Sequence, residues 1–103
     1  MQNEGDPDLL TELIEAYELN SVRLMNKVAA SIATSDAVQL RRAIHSLRGT
    51  SGNLGAYRLA NMCGEIEVLA ERADLEGVKP WLPTLESEHL QVIAALVAQK
   101  KAD

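Results

Sequence analysis

The run Ala43-Ile44-His45-Ser46-Leu47-Arg48-Gly49-Thr50-Ser51-Gly52-Asn53-Leu54-Gly55-Ala56 decides how this chain is read. With Leu40, its residues Ile44, Leu47, Ser51 and Leu54 recur at the spacing of one buried helix face. Gly49 and Gly52 do not fit that helix for free, because each glycine costs about 1 kcal/mol relative to alanine in a helix interior. The apolar stripe centres near Ile44 and Leu47, and at 100° per residue His45 lies roughly 140° away from it, towards solvent. On that outer face its neighbours are Arg41, Arg48, Gly49 and Gly52. The imidazole is therefore expected between cations and a strip of backbone without side chains, which reads as a docking surface.

Working outward, apolar residues keep a helical period almost throughout, without strand-like alternation, internal repeat or low-complexity tract. The expected fold is all-α. A first long helix starts near Asp8, with Asp6 as cap and Pro7 at its first position, where a missing N–H costs nothing. Its stripe is Leu10, Leu13, Ile14, Tyr17, Leu24, Val28 and Ile32, with Ser21 the polar member and a bend allowed near Asn20-Ser21. Thr34-Ser35-Asp36 breaks the pattern and offers a cap for the second helix, which Gly55 can close. A third helix carries Leu59, Met62, Cys63, Ile66, Leu69, Ala70 and Ala73 and ends in the turn-prone Asp74-Leu75-Glu76-Gly77. The fourth follows Pro80 and tolerates Pro83 in its first turn, after which Leu85, Val92, Ile93 and Leu96 continue an apolar face towards Lys100 and Lys101. Four amphipathic helices on short turns predict an antiparallel up-down-up-down four-helix bundle over residues 8–103, with residues 1–7 as a tail.

A chain of 103 residues that is 47% apolar supports one core and is too short for two. The lone Cys63 leaves neither an internal disulfide nor a cysteine-built metal site, and His45, His89 and Cys63 show no ligand spacing, so no metal is expected. The first residues lack a cationic start and an apolar run, and no apolar stretch approaches about 20 residues. The expectation is a cytoplasmic monomer without membrane insertion; if the intact protein is membrane-bound, the anchor lies elsewhere. A net charge of −5 argues against general nucleic-acid binding. Yet Arg41, Arg42 and Arg48 cluster around His45 and no acid falls between Asp36 and Glu65, so the local surface calls for an acidic partner. His89, within the fourth helix's stripe, reads as a buried or boundary residue.

No catalytic acid, metal ligand or nucleophilic serine accompanies His45, so the ring itself must be the nucleophile. An imidazole of ordinary pKa, about 6.5, is largely unprotonated near neutral pH, and a ring nitrogen can attack an activated phosphoryl group without a general base. Transfer between two proteins needs in-line approach and an unobstructed surface. Glycine at i+4 provides the clearance, and arginine at i+3 can pair with phosphoryl oxygens.

These residues resemble the signature of histidine-containing phosphotransfer (HPt) domains, His-x-Leu-Lys-Gly-Ser-Ser-x-x-Leu-Gly, over the eleven positions His45 to Gly55. Arg48 replaces lysine and Thr50 replaces serine, keeping cation and hydroxyl. The resemblance implies that His45 accepts a phosphoryl group from a receiver-domain aspartate and gives it to another receiver. Any magnesium would then belong to the receiver's acidic pocket, and the chain would need no cofactor or ATP site of its own. Family members often hold the imidazole with a glutamine or other polar residue twenty-two positions on. Here that position is Glu67, which reads either as this holder, fixing the Nδ1–H tautomer, or as a solvated helix charge.

Two other readings compete. One is the phosphoacceptor fragment of a histidine kinase, labelled from ATP, although an acid and a proline would then be expected soon after the histidine, where Ser46 and Leu47 stand. The other is a bundle that docks receivers without transfer. Val38, on the His45 face, and Leu9 of the first helix are expected to join the docking area.

Overall fold

The computed structural model describes residues 7–101, and they are all-helical: α1 Pro7–Ala33, α2 Ala37–Asn53, α3 Tyr57–Glu71, α4 Leu75–Val78 and α5 Trp81–Lys101. The Asp6 cap lies outside the described residues. Helix α1 begins at Pro7 and runs unbroken through Asn20 and Ser21. Its neighbours are α2 and α5, while α3 packs against the other side of the same two helices. Leu24, Val28, Leu40, Ile44, Leu47, Leu59, Ile66 and Leu85 form the core between them.

Three helices stop in the same way. After α1, α2 and α3 the chain enters the left-handed region at Ser35 (φ 57°), Gly55 (φ 83°) and Ala73 (φ 56°). In each case the next amide reaches back to a carbonyl of the last turn: Asp36 to Ser31, Ala56 to Ser51 and Asp74 to Leu69, at 2.8–2.9 Å. Asp36 then caps α2, its carboxylate accepting from the Gln39 amide at 3.0 Å.

Three expectations are corrected. The stretch Asp74–Gly77 contributes to the one-turn helix α4, because Asp74 accepts from the Gly77 amide at 2.9 Å and Val78 anchors the turn in the core. Ala73 belongs to the stop rather than to α3's buried stripe and is exposed. The buried stripe of α1 begins at Ile14, with Leu10 and Leu13 exposed (Leu13 by 52%). Length explains the last point: α1 has 27 residues and α2 has 17, so at 1.5 Å per residue α1 is about 15 Å longer. Tyr17 Oη and Ser51 Oγ meet at 2.8 Å near the end of α2, so the turns of α1 before Ile14 lack α2 as a cover, and Leu54 at that end is exposed too.

His89 is buried, and its Nε2 lies 2.8 Å from Ser21 Oγ. This bond explains the polar member of the α1 stripe: Ser21 meets the one imidazole of the α1–α5 seam.

Candidate functional site

Because Ile44 and Leu47 are wholly buried, the helical phase of α2 turns His45 outward, and its side chain is 72% exposed. From α3, Glu67 points back at it. His45 Nδ1 and Glu67 Oε2 are 2.8 Å apart, and Arg48 Nη1 donates to the other carboxylate oxygen, Oε1, at 3.0 Å. Glu67 is 11% exposed, so one carboxylate is tucked between α2 and α3 and bridges two α2 side chains one turn apart.

Burial pushes the Glu67 carboxyl up, but the hydrogen bonds and charges of His45 and Arg48 outweigh it and hold the group below the usual carboxylate value. An ionised carboxylate only accepts hydrogen bonds, so Nδ1 is the donor and carries the ring proton. In the neutral ring the lone pair then sits on Nε2, which has no hydrogen-bond partner among the described residues. Beneath the pair, Cys63 is buried. Its thiol is pushed up to about 12, by desolvation first and the Glu67 charge second, so it stays protonated and unreactive.

The remaining residues expected at the site fall into distinct places. Arg41 is exposed one turn before His45 and pairs with no acid among the described residues. A Cβ added at Gly49 would meet nothing within 4 Å, so this glycine leaves open surface beside the ring. At Gly52 the same Cβ would lie 3.9 Å from Ala60 Cβ, so Gly52 lies at the α2–α3 contact. Arg42 lines a groove between α1 and α2, where Arg23 and Lys27 of α1 join it. Val38 lines the same groove and, like Leu9, is exposed.

Sequence reading missed Gly64. It lies three residues before Glu67 on α3, and a Cβ there would stand 3.7 Å from Arg48 Nε, in ordinary van der Waals contact, so Gly64 marks where the guanidinium crosses α3 on its way to Glu67. The spacing of Gly64 and Glu67 is a usable signal only once α2 and α3 are known to pack together. Among the described residues no group of three His, Cys, Asp or Glu side chains converges as a metal site, and no helix is long and apolar enough to cross a membrane.

A family model described as Hpt domain matches residues 7–100. Histidine-containing phosphotransfer protein 2 of Arabidopsis thaliana is 26% identical over 92 residues, 86% of this chain and 59% of that protein. Pseudo histidine-containing phosphotransfer protein 2 of Oryza sativa subsp. japonica is also 26% identical, over 91 residues, covering 86% and 60%. The chain thus spans about three fifths of the length of these curated relatives. The crystal structure of histidine-containing phosphotransfer protein B from Pseudomonas aeruginosa superposes with a TM-score of 0.85 at 28% identity, covering 88% of this chain and 79% of that one. Since a relative named as a pseudo form is as similar as one that is not, likeness alone does not decide the chemistry. The histidine and its surroundings have to.

Proposed function

This chain belongs to the Hpt domain family, and from that premise we propose that it is the phosphoryl carrier of a two-component phosphorelay. In this reading His45 Nε2 accepts a phosphoryl group from the aspartyl phosphate of one receiver domain and passes it to the aspartate of another. The observation that carries the reading is the bond from His45 Nδ1–H to ionised Glu67, which leaves a lone pair on an exposed Nε2. Attack of Nε2 on phosphorus forms the N–P bond and breaks the P–O bond of the acyl phosphate, and the receiver carboxylate leaves. No proton has to be removed from Nε2. The ring becomes a phosphoryl-imidazolium that keeps its proton on Nδ1, and Glu67 offsets that charge. In the onward step a receiver carboxylate attacks phosphorus and the N–P bond breaks, returning the neutral ring.

Arg48 holds Glu67 and retains further N–H groups on the exposed side for phosphoryl oxygens, while Gly49 keeps the approach clear. The chain brings no ATP site and no metal in this proposal; magnesium enters with the receiver. In this proposal the long helices form an antiparallel four-helix bundle, and the carrier presents one face, acts as a monomer and works in the cytoplasm, free-standing or as part of a sensor kinase.

Mixing the protein with a receiver domain phosphorylated by acetyl phosphate tests the proposal. Acid-labile label should appear on the wild type and be absent from His45→Gln, and ATP alone should label neither. Equal labelling of the two proteins, or labelling from ATP, would sink it. Receiver binding that survives His45→Gln, with no transfer to either protein, would favour docking alone.

A further inference from the structure

The groove between α1 and α2 is separate from the His45–Glu67 pair. Its cations are Arg23 and Lys27 from α1 and Arg42 from α2, against one lining carboxylate, Asp36, which already caps α2. Among the described residues none of these three cations is paired with a carboxylate; Arg23 donates instead to the Asn20 side chain at 2.7 Å. On a chain of net charge −5 this concentration runs against the average. Val38, 54% exposed, gives the groove an apolar rim at the α2 N-terminal end. Asn20 and Thr50 line this groove and also a second depression floored by Leu13, Ala16 and Leu54, so the seam continues from a cationic half into an apolar half. Ser46, the residue after His45, lines the cationic half, so a partner reaching the ring passes beside the groove.

We propose that the α1–α2 seam is a specificity groove that binds an acidic, amphipathic segment of the phosphoryl-exchanging protein, its carboxylates on Arg23, Lys27 and Arg42 and its apolar side towards Leu13 and Leu54. The inference rests on the carrier reading and adds that partner choice is made by charges that touch neither the imidazole nor the phosphoryl group. Unpaired surface cations of one sign raise the encounter rate with an acidic partner and reject a basic one.

The test uses the full chain, its Arg23→Glu/Lys27→Glu/Arg42→Glu variant and the milder variant with glutamine at the same three positions. The protein donor is a receiver domain, phosphorylated by acetyl phosphate, that transfers to the wild type. The second donor is phosphoramidate, too small to use the groove. At ~20 mM salt the charge-reversed variant is expected to lose at least about tenfold in the second-order rate of transfer from the receiver, and the glutamine variant about threefold. The losses should shrink towards the wild-type rate near 0.5 M salt, where charges farther apart than about 4 Å are screened. Labelling by phosphoramidate should stay at the wild-type rate in both variants. Equal receiver transfer and equal salt dependence in all three proteins overturns the groove. A fall in phosphoramidate labelling matching the fall in receiver transfer also overturns it, because the cations would then act on the reaction itself. Absence of wild-type labelling from either donor overturns the carrier reading instead.

Discussion

Glu67 does two jobs with one carboxylate, and they separate by substitution. Glu67→Gln keeps the size but gives up the charge that Arg48 and the ring proton share. Phosphoryl uptake is expected to slow by about tenfold or more, since the developing imidazolium loses its counter-charge; stopped-flow transfer from a receiver measures this. Stability responds to pH with a definite sign. The folded-state carboxyl is held below its usual 4.5, so the pairing stabilises the fold above that pH and the contribution is lost as pH falls through the lowered value. Melting temperatures of wild type and Glu67→Gln should therefore differ by the equivalent of about 1 kcal/mol at neutral pH and converge as pH falls through the lowered value. A gap that widens in acid would contradict the pairing. The outward phase of His45 was legible in sequence because Ile44 and Leu47 bracket it. Whether Glu67 held the ring or faced water was not, because that depends on how α2 and α3 turn about their axes. Gly64, over which Arg48 reaches across, had no reason to stand out until that rotation was known.

Helix ends show why boundaries are harder to read than stripes. Gly55 advertised its stop, whereas Ser35 and Ala73 adopt the same left-handed conformation with side chains that disfavour it. Ala73→Gly is expected to raise stability by about 0.5–1 kcal/mol, a few degrees in Tm, because that backbone costs glycine nothing. An unchanged or lowered Tm would argue that the turn is set elsewhere. Within α2 the phase itself is testable: Leu47→Ala should cost about 2–5 kcal/mol as a cavity in the core, and His45→Gln less than about 0.5. The α1–α5 seam adds a second pH response. Burial holds His89 below its ordinary 6.5, so between that pH and the lowered value the unfolded chain binds more protons than the fold, and stability declines as pH falls from about 6.5. His89→Leu should flatten that limb of the stability curve; an unaltered limb would remove His89 as its source. Ser21 read as an oddity in an apolar stripe because its partner lies 68 residues away in sequence.

At the scale of the whole molecule, 51 × 20 × 20 Å, charge and chemistry are sorted by face. Composition could not show this, because a net charge of −5 averages over it. The arginines near His45 looked like one patch along α2, yet Arg48 turns to Glu67 of α3 while Arg42 lines the α1–α2 seam with Arg23 and Lys27 of α1. Periodicity ranked the long α1 stripe as buried to its start for a similar reason: a helix records which face is apolar, and only its neighbours' lengths decide how much of that face is covered. The 72% exposure of His45 also bears on time. In the proposed carrier a phosphoryl group on Nε2 would stand in water, with no lid or pocket wall among the described residues to slow hydrolysis. On the proposed carrier reading its lifetime would be a property of the phosphorylated ring, and the duration of a signal would have to be stored in the proteins on either side of this one.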